Sequence, residues 1–117
     1  MKAILYCEDD RTLRDLLAST LRTNFSSYEV ILADDIGSAL DKIPPVERLS
    51  VVLTDGNLRE DDTGWDLTEQ LKQRGYTGPI VYLGAAKIPE DKRGLFNDVL
   101  IKPVDPDRLV ATLEKYL

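Results

Sequence analysis

At 117 residues, 43% of them hydrophobic and 31% charged, the chain has the size and composition of one globular domain spanning 1–117, able to bury roughly two-thirds of its extended surface. A net charge of −6, with no Lys/Arg cluster on any predicted face, argues against direct contact with nucleic acid, whose binding depends on phosphate neutralisation. The absence of histidine excludes His-ligated metals, Ser-His and Cys-His catalysis and a phosphohistidine-carrier role, and no apolar run approaches the ~18 residues of a membrane span.

Lys2 to Cys7 predicts the first strand, and Met1-Lys2 lead into it directly, leaving no room for a signal peptide. Cys7, the single cysteine, cannot form an internal disulfide and reads as a small core residue of a reduced, cytoplasmic protein. Leu13, Leu16, Leu17 and Leu21 then share one helix face, with Asp10 as the N-cap. Tyr28 to Leu32 is a second strand, followed by a short helix over Ile36 to Ile43 that Pro44-Pro45 stop. Ser50 to Thr54 is the third strand, apolar on both faces and so covered by helices on both sides. Trp65, Leu67 and Leu71 mark a third helix closed at Gly75, with Trp65 read as core. Ile80 to Leu83 is the fourth strand, Pro89 to Phe96 a poorly amphipathic helix, and Val99 to Ile101 the fifth strand. Asp105-Pro106 open a last helix lined by Leu109, Val110 and Leu113. Strands alternating with helices imply an α/β fold, a parallel doubly wound sheet that binds ligands at the carboxyl ends of its strands.

At that end the strands run into charge. The first leads into Glu8-Asp9-Asp10, the third into Asp55, and the fifth into Lys102-Pro103. Clustered carboxylates repel and call for a cation. Mg²⁺ suits them, taking oxygen ligands at ~2.1 Å and leaving positions for water and phosphate. A backbone carbonyl in the loop after Asp55 would add a ligand. Asp55 can then act as a nucleophile toward phosphorus, with the Lys102 ammonium on a phosphoryl oxygen. Each acid alone reads as a helix cap, and Asp10 is assigned that role; the set of Glu8, Asp9, Asp55 and Lys102 points to a site. Asp61-Asp62 read as a solvated loop rather than a second cation site. The five tyrosines read as packing residues, and Arg11, Arg14 and Arg22 as a solvated face.

Over its whole length the chain resembles a response-regulator receiver domain. The matching segments are Ile4-Leu5-Tyr6-Cys7-Glu8-Asp9-Asp10, Val52-Leu53-Thr54-Asp55-Gly56-Asn57-Leu58 and Leu100-Ile101-Lys102-Pro103-Val104. The resemblance implies a flavodoxin-like five-stranded parallel sheet of order 2-1-3-4-5. It implies that Asp55 is the phospho-acceptor, that Lys102 contacts the phosphoryl group, and that Glu8, Asp9, Asp55 and the backbone carbonyl of Asn57 hold Mg²⁺. Gly56, Gly84 and Ala85 would line the phosphoryl site. It further implies a cytoplasmic two-component pathway, with a histidine kinase or histidine phosphotransfer protein as donor, a downstream effector protein or domain, and no membrane contact.

The chain departs from that family at several points. The family usually ends its fourth strand in Thr or Ser, and Gly84 stands there; it usually has an aromatic residue three before the lysine, and Val99 stands there. The hydroxyl-and-aromatic switch therefore cannot operate, and a site left open at Gly84 would make the acyl phosphate short-lived. The segment from Gly84 to Lys102 is about four residues shorter than the family norm, and the loop from Leu58 to Gly64 is acidic and one residue longer than usual. Two other functions compete. A degenerate receiver would act as an interaction module independent of phosphorylation. A Mg²⁺-dependent phosphohydrolase would carry an Asp-x-Asp pair after its first strand, where this chain has contiguous Glu8-Asp9-Asp10.

Overall fold

Short β-rich runs bounded by polar or glycine-containing turns become strands, because a branched or aromatic side chain packs well on a pleated surface. The computed structural model describes residues 1–117 and forms β1 (Ala3–Cys7), β2 (Glu29–Ala33), β3 (Leu49–Thr54), β4 (Ile80–Gly84) and β5 (Asp98–Ile101). Every pairing is parallel, in the order β2-β1-β3-β4-β5. The expected flavodoxin-like topology is the observed one.

The helices are α1 (Arg11–Asn24), α2 (Ile36–Lys42), α3 (Gly64–Gln73) and α4 (Pro106–Glu114). Strand side chains alternate between faces, so the sheet carries a core on each. Leu5, Val52 and Ile80 pack toward α2 and α3 through Ile36, Ala39, Leu67 and Leu71. Ile4, Val51 and Leu53 pack toward α1 and α4 through Leu17, Leu21, Leu109 and Leu113. Each of these large apolar side chains contributes about 1.5–3 kcal/mol by leaving water. No helix is long and apolar enough to cross a membrane.

Helix ends follow the sequence signals. Asp10 accepts the Leu13 N–H at 3.1 Å, Asp35 the Ser38 N–H at 2.7 Å and Thr63 the Asp66 N–H at 3.2 Å, each such cap being worth ~1 kcal/mol. Beyond α3, Gly75 takes φ +96°. Its N–H reaches the Lys72 carbonyl and that of Tyr76 the Leu71 carbonyl, both at 3.0 Å. This paired closure needs a left-handed residue, which glycine adopts without strain.

Two expectations are corrected. Residues Glu90–Leu95 form 3₁₀ turns, not an α-helix. Four consecutive charged residues, Glu90 to Arg93, are followed by Gly94, so there is no apolar stripe to dock and no length to repay helix nucleation. Leu100 is buried against α4, but with no helix on the other face β5 leaves Val99 37% and Ile101 63% exposed. Trp65 is half-buried in the first turn of α3 and belongs to neither core.

Candidate functional site

The carboxyl ends of β1, β3 and β5 bring their charged residues to one place. Asp55 continues β3, its N–H bonded to the Cys7 carbonyl of β1 at 3.0 Å. Glu8 continues β1 and is fully buried, while Asp9 beside it is exposed. Lys102 leaves β5 with its N–H on the Gly84 carbonyl at 3.2 Å, before a cis peptide bond to Pro103. Its ammonium lies 2.8 Å from Glu8 Oε1 and 2.9 Å from Asp55 Oδ2. Glu8, Asp9 and Asp55 each present an oxygen within 4.8 Å of the others. The four residues singled out in the sequence thus meet, from three strands that are not consecutive in the chain.

The remaining lone pairs are mostly occupied. Glu8 Oε2 accepts the Asp10 N–H at 3.2 Å, and the Tyr6 hydroxyl reaches Oε1 at 3.4 Å. Arg14 donates to the Glu8 carbonyl at 2.9 Å, so it serves the site rather than a free solvated face. Asp55 Oδ1 accepts the Gly56 N–H at 2.6 Å, with the Asn57 N–H at 3.4 Å. Burial, together with the neighbouring Asp55 carboxyl, pushes Glu8 up to about 7 against the relief that Lys102 gives. Burial works to lower Lys102, but its bonds to Glu8 and Asp55 prevail and hold it above the ordinary lysine range. One ammonium shared between two buried carboxylates leaves room for a second positive charge, and an all-oxygen donor set with one exposed member fits a hard divalent cation.

The loop after Asp55 is held at both ends. Gly64 donates to the Gly56 carbonyl at 3.0 Å, and Asn57 bridges Thr63. A Cβ on Gly64 would collide with the Asp55 carbonyl oxygen, so this close return requires glycine. The backbone is left-handed at Glu60 and Asp61, with φ of 61° and 58°. Asp62 accepts the Ile36 N–H at 2.9 Å, which makes it a helix cap rather than a merely solvated acid. Arg59 pairs with Asp34 and Asp35, each at 3.2 Å.

At Gly84 the structure corrects the expectation of an open site. The Tyr82 phenol fills that space: its hydroxyl oxygen lies 2.6 Å from where a Cβ on Gly84 would stand and 2.5 Å from where one on Gly56 would stand. It donates to the Ala86 carbonyl at 2.6 Å. The same virtual Cβ on Gly84 lies 3.0 Å from Asp55 Oδ1. Tyr82 is fully buried, as a packing residue should be, yet its polar end borders the acidic site. The signal that could have revealed this is a pair of glycines, one beside Asp55 and one two residues after Tyr82 on the same strand face.

Known proteins share this architecture. The family model of the response regulator receiver domain matches residues 4–114. The sensory transduction protein LytT of Bacillus subtilis is 29% identical over 99% of this chain, which spans 48% of that protein. The sensor histidine kinase RcsC of Salmonella typhi is 32% identical over 97% of this chain, which spans 12% of it. The chain therefore spans half or less of these relatives. The solved non-phosphorylated receiver domain of HemR from Leptospira biflexa superposes with a TM-score of 0.83 at 26% identity, covering 99% of this chain and 94% of that one.

Proposed function

This chain belongs to the response regulator receiver domain family, and on that premise we propose that residues 1–117 act as one phospho-accepting unit of two-component signal transduction, with Asp55 as the acceptor. The observation that carries the proposal is the Lys102 ammonium, held between Glu8 and Asp55 with Asp9 alongside. The donor is a phosphohistidine on a histidine kinase or a histidine phosphotransfer protein. An Asp55 carboxylate oxygen forms the new bond to phosphorus as the donor's P–N bond breaks. The electron pair stays on the imidazole nitrogen, which takes up a proton.

Mg²⁺, held by Glu8, Asp9, Asp55 and the Asn57 backbone carbonyl, would supply positive charge toward the phosphoryl oxygens and offset the repulsion among the acids. Lys102 follows the charge as it moves from the carboxylate onto the phosphoryl group. The Gly56 N–H already bonds the Asp55 carboxylate and orients it; the Gly84 and Ala85 backbone borders the same space. A groove of about 570 Å³ opens beside Lys102, between Leu13 and Leu16 of α1 and Pro103 and Val104. Leu16 is 57% exposed there, and this apolar rim next to the acceptor suits a donor's helix. A downstream effector would read the molecule elsewhere, and the bare Val99 and Ile101 of β5 offer one such surface. We expect a cytoplasmic setting, with no direct contact to nucleic acid or membrane.

The test is incubation with Mg²⁺ and acetyl phosphate, followed by intact mass. One phosphoryl adduct, abolished in Asp55→Asn, is the expected result. A second reading, a receiver that works through surfaces alone, draws on Gly84 and Val99; absence of both adduct and phosphate-analogue binding would favour it. Sustained turnover of unrelated phosphate esters would instead indicate a phosphohydrolase.

A further inference from the structure

We propose that the Tyr82 hydroxyl is a phosphoryl-binding group of this site: it turns away from the Ala86 carbonyl and donates its hydrogen bond to an oxygen of the group carried by Asp55. The inference rests on the reading of Asp55 as acceptor and deepens it. It starts from position. Tyr82 lies on β4 two residues before Gly84, and β4 pairs with β3, which ends at Asp55. The phenol reaches past its own strand end because residues 56 and 84 both lack a side chain, and a Cβ at either would meet it at 2.6 Å or less. Gly56, Tyr82 and Gly84 are therefore one steric set, in which any other residue at either end would displace the ring.

The chemistry follows from where the oxygen sits. A point 2.6 Å from the Tyr82 hydroxyl is only 3.0 Å from Asp55 Oδ1, so the phenol borders space that a group added to that carboxyl can enter. A phenol has one proton to donate and two lone pairs, and here the hydroxyl donates that proton in a hydrogen bond to the Ala86 carbonyl. That partner is a neutral oxygen of an irregular connection, whereas a phosphoryl oxygen is anionic and makes the stronger bond. Burial and the adjacent Asp55 charge raise Tyr82 above the ordinary phenol range, so the hydroxyl keeps its proton to give. The exchange makes and breaks hydrogen bonds only. Its second consequence is at Ala86, whose carbonyl loses its donor when the phenol turns. Occupancy of Asp55 is thereby reported to the segment that joins β4 to β5.

The experiment uses beryllofluoride with Mg²⁺ as a stable stand-in for the phosphoryl group. Affinity is measured by titration calorimetry, and backbone amides are followed by NMR. Wild type should bind, with the amides of residues 85–88 shifting. Tyr82→Phe keeps the ring and removes one oxygen; loss of a hydrogen bond to a charged group should weaken beryllofluoride binding roughly ten- to a hundred-fold and abolish the shifts at 85–88. Tyr82→Met should weaken binding similarly. Adding Gly84→Thr to Tyr82→Met, which returns a hydroxyl to the vacated space, should restore it. Tyr82→Phe binding like wild type would overturn the inference while leaving Asp55 as acceptor. A folded double variant that binds no better than Tyr82→Met would do the same. If wild type itself neither binds beryllofluoride nor gains a phosphoryl adduct, the reading of the site falls and the inference falls with it.

Discussion

The Tyr82 hydroxyl stands 2.6 Å from the place a side chain at Gly84 would begin, so these two residues exclude one another's alternatives. Gly84→Thr alone should destabilise the fold by about 1–3 kcal/mol through overpacking. The threonine should not lengthen the life of the acyl phosphate, because its hydroxyl has no room to reach the site. Combined with Tyr82→Met, the same substitution should cost far less than the sum of the single changes. Chemical denaturation of the four proteins gives the coupling; strict additivity would contradict the steric account.

The Lys102 ammonium is shared between two buried carboxylates, at 2.8 and 2.9 Å, and so competes with any cation for them. Lys102→Ala should therefore bind Mg²⁺ more tightly than wild type while accepting phosphate much more slowly. Mg²⁺ should also raise its melting temperature by more than it raises that of wild type. Titration calorimetry and melts with and without Mg²⁺ measure both effects. Weaker Mg²⁺ binding in Lys102→Ala would show that the lysine organises the acids rather than competing for them.

Burial and the neighbouring Asp55 carboxyl hold Glu8 at about 7, against an ordinary 4.5. Its folded pKa is raised, so between those values the native state binds more protons than the unfolded chain, and stability falls as pH rises through that window. Mg²⁺ needs the ionised form, so its affinity should rise from pH 6 to pH 8 with proton release. Glu8→Gln should flatten the stability profile in that window and lose most of the metal affinity. Melts across pH in EDTA, and calorimetry in two buffers of different ionisation enthalpy, test the two halves separately.

Gly64 makes room for the Asp55 carbonyl, and the obstructing atom belongs to the backbone. Gly64→Ala should cost on the order of 2 kcal/mol or more and displace the acceptor, slowing phosphorylation even where the protein remains folded. Gly94, with nothing within 4 Å of its Cβ position, is the matched control: Gly94→Ala should change neither quantity measurably.

How much was legible in the chain depends on how far apart the partners lie. The strands could be read because Ile4 to Cys7, Val51 to Leu53 and Ile80 to Leu83 are unbroken apolar runs. Their alternation with helices then implies a parallel, doubly wound sheet, while the strand order is what the receiver resemblance implies. Glu8, Asp9, Asp55 and Lys102 were legible because each lies immediately beyond such a run, and a parallel sheet sends all those ends one way. Tyr82 was not, because an apolar strand accepts a tyrosine without comment. Its reach becomes visible only when the pairing of Val52 with Ile80 sets Gly56 opposite Gly84. The stretch from Glu90 to Leu95 was overread, since proline at a first turn signals a helix only when an apolar face follows. Asp62 was underread because its partner, the Ile36 N–H, is 26 positions away.

The 3₁₀ crossover between β4 and β5 has a consequence for motion. An α-helix docked on a sheet opens as a cooperative unit, whereas isolated turns open one at a time at little free-energy cost. Amides from Ala85 to Leu95 should therefore exchange with deuterium far faster than those of β4 and β5 on either side. The quiet, protected sheet would then border a stretch of backbone that can be tightened or released with each occupancy of Asp55.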